Sequence, residues 1–236
     1  MPTYNNFIGK IFADELGTSK SPLDFGAGIG TLSQIFEKKT GVKPICIEID
    51  NKNKSYLLER KFRVFDDISK VGLNVDAVFS SNVLEHIEDD SRILKQLHKH
   101  TTDEAKLVLY LPAFPVLFSG LDKAVGHFRR YGKNSISKKL KNAGFSIDMI
   151  YYADCIGFIA SLLFRFWGYD GSVGLGSPKS LRLYDRFFFP LSRILDAIGF
   201  RFLFGKNIVI VARKNNFTTT LPPTEKSTVT QAKDIE

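Results

Sequence analysis

Between Pro22 and Pro112, short apolar runs alternate with segments of helical period, and few folds accommodate that rhythm. "PLDF", "KPICIEID", "FRVFDD", "VDAVFSSN" and "AKLVLYLP" read as strands. Leu32–Lys39, Asn51–Lys61 and Asp89–His100 read as helices between them. Near-continuous apolar strands suit a sheet covered on both faces, and a helix between strands returns the chain for parallel pairing. The expectation is an α/β, doubly wound, Rossmann-like parallel sheet with helices on both faces. Phe7, Ile8, Ile11, Phe12 and Leu16 recur at helical spacing, so a helix precedes the first strand. After Pro112, Ala113–Tyr131 reads as a loop and Asn134–Asn142 as a helix closed by Gly144. "FSIDMIYY" and "NIVIVARK" supply strands six and seven.

Those last two strands are separated by a long insertion, Asp154–Lys206, rich in Phe and in Lys and Arg. Asp154–Gly168 reads as an apolar helix and Leu181–Phe204 as another helix or pair, with a break or kink at Pro190. From Gly120 to Lys214 the chain carries 16 Lys and Arg against 6 Asp and Glu, so the net charge of +8 belongs to the back half. Aromatic and cationic residues mixed on short helices suit an anionic membrane surface. They equally suit a pocket for a long apolar ligand, a homodimer interface, or a hairpin packed on its own sheet. Residues 1–214 are expected to form one domain, with a disordered Thr/Pro-rich tail over 215–236. Two cysteines, Cys46 and Cys155, in apolar runs read as buried free thiols. With no apolar leader at the N-terminus, a cytoplasmic location is expected, peripheral on the inner face of a membrane if the insertion meets lipid.

The first strand ends in Asp24-Phe-Gly26-Ala-Gly28-Ile-Gly30, a glycine turn leading into a helix. Glycines there accept backbone angles closed to other residues and let a ligand approach the main chain. The helix that follows points free N–H groups at the same space. Glu48 closes the second strand, where an acid can accept from ribose hydroxyls. Asp50, two residues on, is a helix cap or a second acid. After the third strand come Asp67, able to accept from an adenine amino group or to cap a turn, and apolar Ile68. Asn82 lies at the carboxyl end of the fourth strand, the sheet edge at which open α/β folds bind ligands, with Glu85 and His86 after it.

Together these motifs resemble the class I S-adenosylmethionine-dependent methyltransferases, in the broad branch with an "LEH" segment after strand four. The resemblance covers roughly Ser21–Tyr152. It implies S-adenosylmethionine as cofactor, with Asp24, Gly26 and Gly28 at its methionine end. It also implies Glu48 on the ribose, Asp67 and Ile68 at the adenine, and Asn82 near the transferring methyl. "GHFRRYGKNSI" is similar to a stretch that some members carry on the acceptor side. His127 and Tyr131 are then candidate catalytic groups, with Arg130 and Tyr131 contacting the acceptor; the alternative is a structural lid. No metal is expected.

The reaction expected is direct displacement of the methyl onto an oxygen or nitrogen of a small-molecule or lipid-linked acceptor. A non-catalytic cofactor-binding scaffold stays open. A nicotinamide-dependent oxidoreductase fits less well, because its fingerprint G-x-G-x-x-G needs a third glycine where this chain has Thr31. Nucleic acid is not expected as the acceptor: the chain has no "NPPY"-type segment and no recognisable RNA-binding module.

Overall fold

The computed structural model describes residues 1–72, 74–167 and 177–215, with the side chains of 166 and 167 excepted. The expected disordered tail beyond 215, and most of the glycine-rich stretch before Pro178, lie outside them.

Seven strands form one sheet: β1 (Pro22–Phe25), β2 (Ile45–Ile47), β3 (Arg63–Phe65), β4 (Val75–Ser81), β5 (Thr101–Pro112), β6 (Phe145–Ala153) and β7 (Asn207–Lys214). Their spatial order is β3-β2-β1-β4-β5-β7-β6. β1 pairs in parallel with β2 and β4, β2 with β3, and β4 with β5. The parallel pairing expected from the alternation holds from β1 to β5, and β7 runs antiparallel to both β5 and β6. The helical insertion brings the chain back at the carboxyl edge, so β7 enters the sheet from the top and runs down between its two neighbours.

Helices cover both faces. On one side lie α1 (Pro2–Leu16) and α2 (Thr31–Thr40); on the other lie α4 (Asp90–His100) and α6 (Lys133–Asn142). Strand period decides which residues meet which helices. Val209 and Val211 of β7 join Phe79, Val108 and Tyr110 against Ile8, Phe12 and Phe36. Ile208, Ile210 and Ala212 join Leu107 and Leu109 against Leu94, Leu97, Ile136 and Leu140. A further helix, α3 (Asn51–Glu59), closes the β2–β3 end through Leu57 on Cys46 and Phe62. Both cysteines are free and buried.

The segment after β5 is not wholly a loop. It holds a short helix, α5 (Gly120–Ala124), started by a reciprocal cap between Ser119 and Asp122. The insertion consists of α7 (Cys155–Trp167), α8 (Pro178–Leu183), a π-helical turn at Tyr184–Phe188, and α9 (Phe189–Ala197). Pro190 sits in the first turn of α9, where its missing N–H costs least, and the break is the π-turn just before it. One face of the insertion is tied down. Asp185 accepts from the amides of Thr3 and Tyr4 at 3.0 and 2.9 Å, and the Phe189 ring packs on Tyr4 and Phe7. Asp196 accepts from the Asp154 amide at 2.8 Å. The opposite face is open, with Phe164 at 69% exposure, Ile194 at 61% and Ile198 at 71%. Among the described residues no helix is long and apolar enough to cross a membrane.

Candidate active site

The carboxyl edges of β1, β2 and β4 bring the glycine turn, Glu48 and Asn82 to one side of the sheet. Gly26 (φ +80°) and Gly28 (φ +55°) both take left-handed angles, for different reasons. A Cβ on Gly26 would lie 2.3 Å from Val83, so that glycine lets the turn pack on the segment after β4. A Cβ on Gly28 would meet nothing within 4 Å, so its backbone faces open space that a ligand can enter. The turn is pinned from β2, because the Gly26 and Ala27 amides both donate to the Ile47 carbonyl.

Glu48 is nearly buried and accepts three backbone amides: Gly28 at 2.7 Å, Ile49 at 2.9 Å and Asp50 at 2.8 Å. A carboxylate offers roughly four acceptor directions, so one hydroxyl can be accepted with every protein bond kept. A second would displace an amide. Asp50 takes the helix-cap role, accepting from the Asn53 amide at the start of α3. Asp67 also caps, accepting from Ser69 at 2.7 Å, and that bond holds its carboxyl below the ordinary range. Its other oxygen accepts no hydrogen bond among the described residues. Asn82 takes φ +52°, donates its amide to the Tyr110 carbonyl, and keeps its side chain exposed at the sheet edge.

Two of the expected cofactor contacts are buried in the fold. Asp24 lies under the turn rather than in it: it is 2% exposed and accepts from the Ser33 hydroxyl in the first turn of α2. It positions the loop from below. Ile68 turns into the core beside Phe65 and Val71, at 3% exposure, and presents no broad face to a ring.

The segment carrying His127 is stitched to the turn after β4. The Phe128 amide donates to the Glu85 carbonyl at 2.8 Å, and Arg129 donates to the Glu88 carbonyl. His127 Nδ1 lies 2.8 Å from Asp122 Oδ1, and its Nε2 faces Glu85 Oε1 at 3.9 Å. The His86 ring meets His127 edge-on, 4.6 Å between centroids. Burial alone would push Asp122 up, but the bonds from His127 and Arg130 bring it down to about 2. Glu85 is the reverse case. It is wholly buried, both its oxygens lack hydrogen-bond partners among the described residues, and burial pushes it up to about 8. Burial, then the neighbouring His127, holds His86 below its ordinary value, so it is neutral near pH 7. The ligand atoms of Glu85, His86 and His127 lie within 4.8 Å of one another, so spacing alone would admit a cation where none was expected.

Tyr131 is not placed for chemistry. It is 1% exposed in the core, with its hydroxyl on Asp90 at 2.9 Å. Asp90 also takes Arg129 and Lys139, and so clamps this segment to α4 and α6. Arg130 has its Nε on Asp122 Oδ1 at 2.8 Å, the same oxygen that holds His127. Asp122 is the functional residue that sequence reasoning missed, although Ser119 and Asp122 stand at capping-box spacing.

Residues 6–149 match the family model described as "Methyltransferase domain". No curated protein has a significantly similar sequence. Among solved structures, a SAM dependent methyltransferase from Archaeoglobus fulgidus superposes with a TM-score of 0.59 at 16% identity, covering 89% of this chain and 94% of its own. A second, from Mesorhizobium loti, gives 0.57 at 13% identity over 87% and 95%. The magnesium protoporphyrin IX methyltransferase of Synechocystis PCC 6803, with bound SAH, gives 0.53 at 18% identity over 91% and 82%. Sheet order, glycine turn and matched residues agree: the chain belongs to the methyltransferase-domain family and is a class I, S-adenosylmethionine-dependent methyltransferase.

Proposed function

We propose that the protein methylates an oxygen or nitrogen of a small-molecule or lipid-linked acceptor, with His127 receiving the proton that the acceptor loses. The observation that carries this reading is the Asp122–His127 pair beside Glu85, on the same sheet edge as Gly28, Glu48 and Asn82. S-adenosylmethionine, when bound, supplies a methyl group already activated by the sulfonium. The chain then has to hold it, align the acceptor and take up one proton. Gly28 gives the cofactor room, Glu48 offers a ribose acceptor, and Asn82 and Asp67 present unburied polar atoms. Alignment supplies most of the acceleration that displacement needs. With Nδ1–H bound to Asp122, His127 keeps Nε2 free to accept, and a positive charge formed on the ring is stabilised by that same carboxylate.

His127→Gln is expected to lower kcat about 10²-fold, the low end for loss of a general base, with S-adenosylmethionine affinity unchanged. Activity is expected to survive EDTA. Loss on chelation with recovery on adding a divalent cation would replace the proton-transfer reading by metal binding at Glu85, His86 and His127.

The open face of the insertion suits the inner face of an anionic membrane. Phe187, Ile194, Ile198 and Phe202 are exposed among Arg186, Arg193 and Arg201. Co-sedimentation with vesicles containing a third phosphatidylserine should fall at least tenfold for the double variant I194E/I198E. Equal binding by wild type and variant would dismiss the membrane. A dimer that the double variant dissolves would assign the face to a second copy.

A further inference from the structure

A cavity of about 560 Å³ opens between the N-terminus of α1, α5, α7 and α8. Its floor is polar, and chain connectivity puts that floor on the carboxyl edge of the sheet. Lys206 immediately precedes β7, Asp154 immediately follows β6, and Arg130 reaches the Ala113 carbonyl just after β5. The Lys206 amide donates to the Asp154 carbonyl at 2.9 Å, and both residues line the cavity.

The floor groups are incompletely paired. Asp154 is 1% exposed; one oxygen accepts from the Gly157 amide, Ser192 and Tyr184, while Oδ2 has no partner among the described residues. Lys206 has no carboxylate oxygen within ion-pair distance among the described residues. An unpaired buried acceptor beside a cation without a close counter-ion is costly, and a ligand carrying both a donor and an anionic oxygen would satisfy the pair. Above the floor the wall is apolar, formed by Leu117, Leu121, Ala160 and Phe164. Phe164, Leu183 and Phe188 line the cavity and are also 46% exposed or more, which marks the mouth on the open face of the insertion.

We infer that this cavity is the acceptor pocket and takes a single-chain anionic amphiphile: an anionic oxygen on Lys206, a hydroxyl or amine donor on Asp154, and the chain leaving past Phe164 and Phe188. This rests on the methyl-transfer reading above. A link to the proposed base is built in, because Arg130 on the cavity floor and His127 share one oxygen of Asp122.

The test is calorimetric titration of the full chain with 1-lauroyl lysophosphatidic acid below its critical micelle concentration. 1-Monolauroylglycerol serves as the probe without the anion and glycerol 3-phosphate as the probe without the chain. The lysophosphatidic acid should bind at one site. Monolauroylglycerol should bind at least tenfold more weakly, and glycerol 3-phosphate should show no saturation at millimolar concentration. Lys206→Gln should weaken lysophosphatidic acid about tenfold and leave monolauroylglycerol unchanged, as expected for one charge-assisted bond. Ala160→Phe, which fills the wall, should abolish both. S-adenosylmethionine affinity, titrated in parallel, should be the same in all three proteins and certifies that they are folded. No saturable lysophosphatidic acid binding, or equal binding by wild type and Ala160→Phe, overturns the pocket. Equal binding by wild type and Lys206→Gln overturns the anionic head. Failure of these arms with S-adenosylmethionine still bound leaves the methyl-transfer reading standing. Failure of wild type to bind S-adenosylmethionine while lysophosphatidic acid binds sinks that reading instead.

Discussion

Glu48→Ala is expected to weaken S-adenosylmethionine about 10³-fold in isothermal titration calorimetry, with thermal stability of the unliganded protein lowered only modestly. Two losses combine. The carboxylate is the proposed acceptor for the ribose, and a hydrogen bond to a charged group contributes roughly 1.5–3 kcal/mol. The same carboxylate also holds the Gly28 amide at 2.7 Å and the Ile49 and Asp50 amides from the other side, and so spans the gap between the β1 and β2 edges. Without it, nothing in the β2 loop fixes the Gly28 amide, and ordering the turn is charged to ligand binding. About 4 kcal/mol corresponds to the stated factor. Glu48→Gln separates the two contributions. The amide oxygen can still accept from Gly28, so the loop stays in place, and an intermediate loss of about tenfold is expected. Unchanged affinity in Glu48→Ala would remove this residue from the cofactor site.

The sheet and the position of the cofactor edge were legible because they are written in local periodicity and in a turn that requires glycine. β7 was legible as a strand but not in direction, since a continuous apolar run, with Ile208, Val209, Ile210 and Val211 all buried, reads the same from either end. Direction came from the insertion, which delivers the chain at the carboxyl edge. Roles along His127–Tyr131 were harder still. Arg130 and Tyr131 are adjacent in an extended segment, so their side chains leave on opposite sides, one to Asp122 and the other into the core at Asp90. The resemblance implied one role on the acceptor side for both, whereas the backbone sends Arg130 to the oxygen that also holds His127 and Tyr131 to the opposite side. The cavity could not be read at all: α1, α5, α7 and α8 meet there only through tertiary packing, and its polar floor comes from the end of β6, the start of β7 and the segment before α6.

Asp24 carries the largest expected effect of pH. The sequence pattern placed it as a cofactor contact, but in the fold it is sealed beneath the glycine turn. Burial pushes its carboxyl up to about 7, the Ser33 hydroxyl pulls the other way, and the Glu48 charge adds a smaller upward push. A carboxyl whose folded pKa lies above its unfolded value stabilises the fold fully below the unfolded value, near pH 4. That contribution is lost as pH rises through the folded value. Between about pH 4 and pH 7 the loss at this site is on the order of 4 kcal/mol, at about 1.4 kcal/mol per unit. Asp24→Asn keeps an oxygen for Ser33 and cannot ionise. The difference in unfolding free energy between wild type and Asp24→Asn, measured by urea titration, should therefore fall steadily from pH 4 to pH 7 and level off above it. Taking the difference cancels the other groups that titrate in this range, including Glu85 and the two histidines held low, His86 and His98. A difference independent of pH would mean that Asp24 is ionised in the fold at every pH tested. Glu48→Gln should shift the point at which the stability profile levels off slightly toward lower pH, because removing the nearby negative charge lowers the Asp24 pKa while burial, the larger cause, still holds it above the unfolded value.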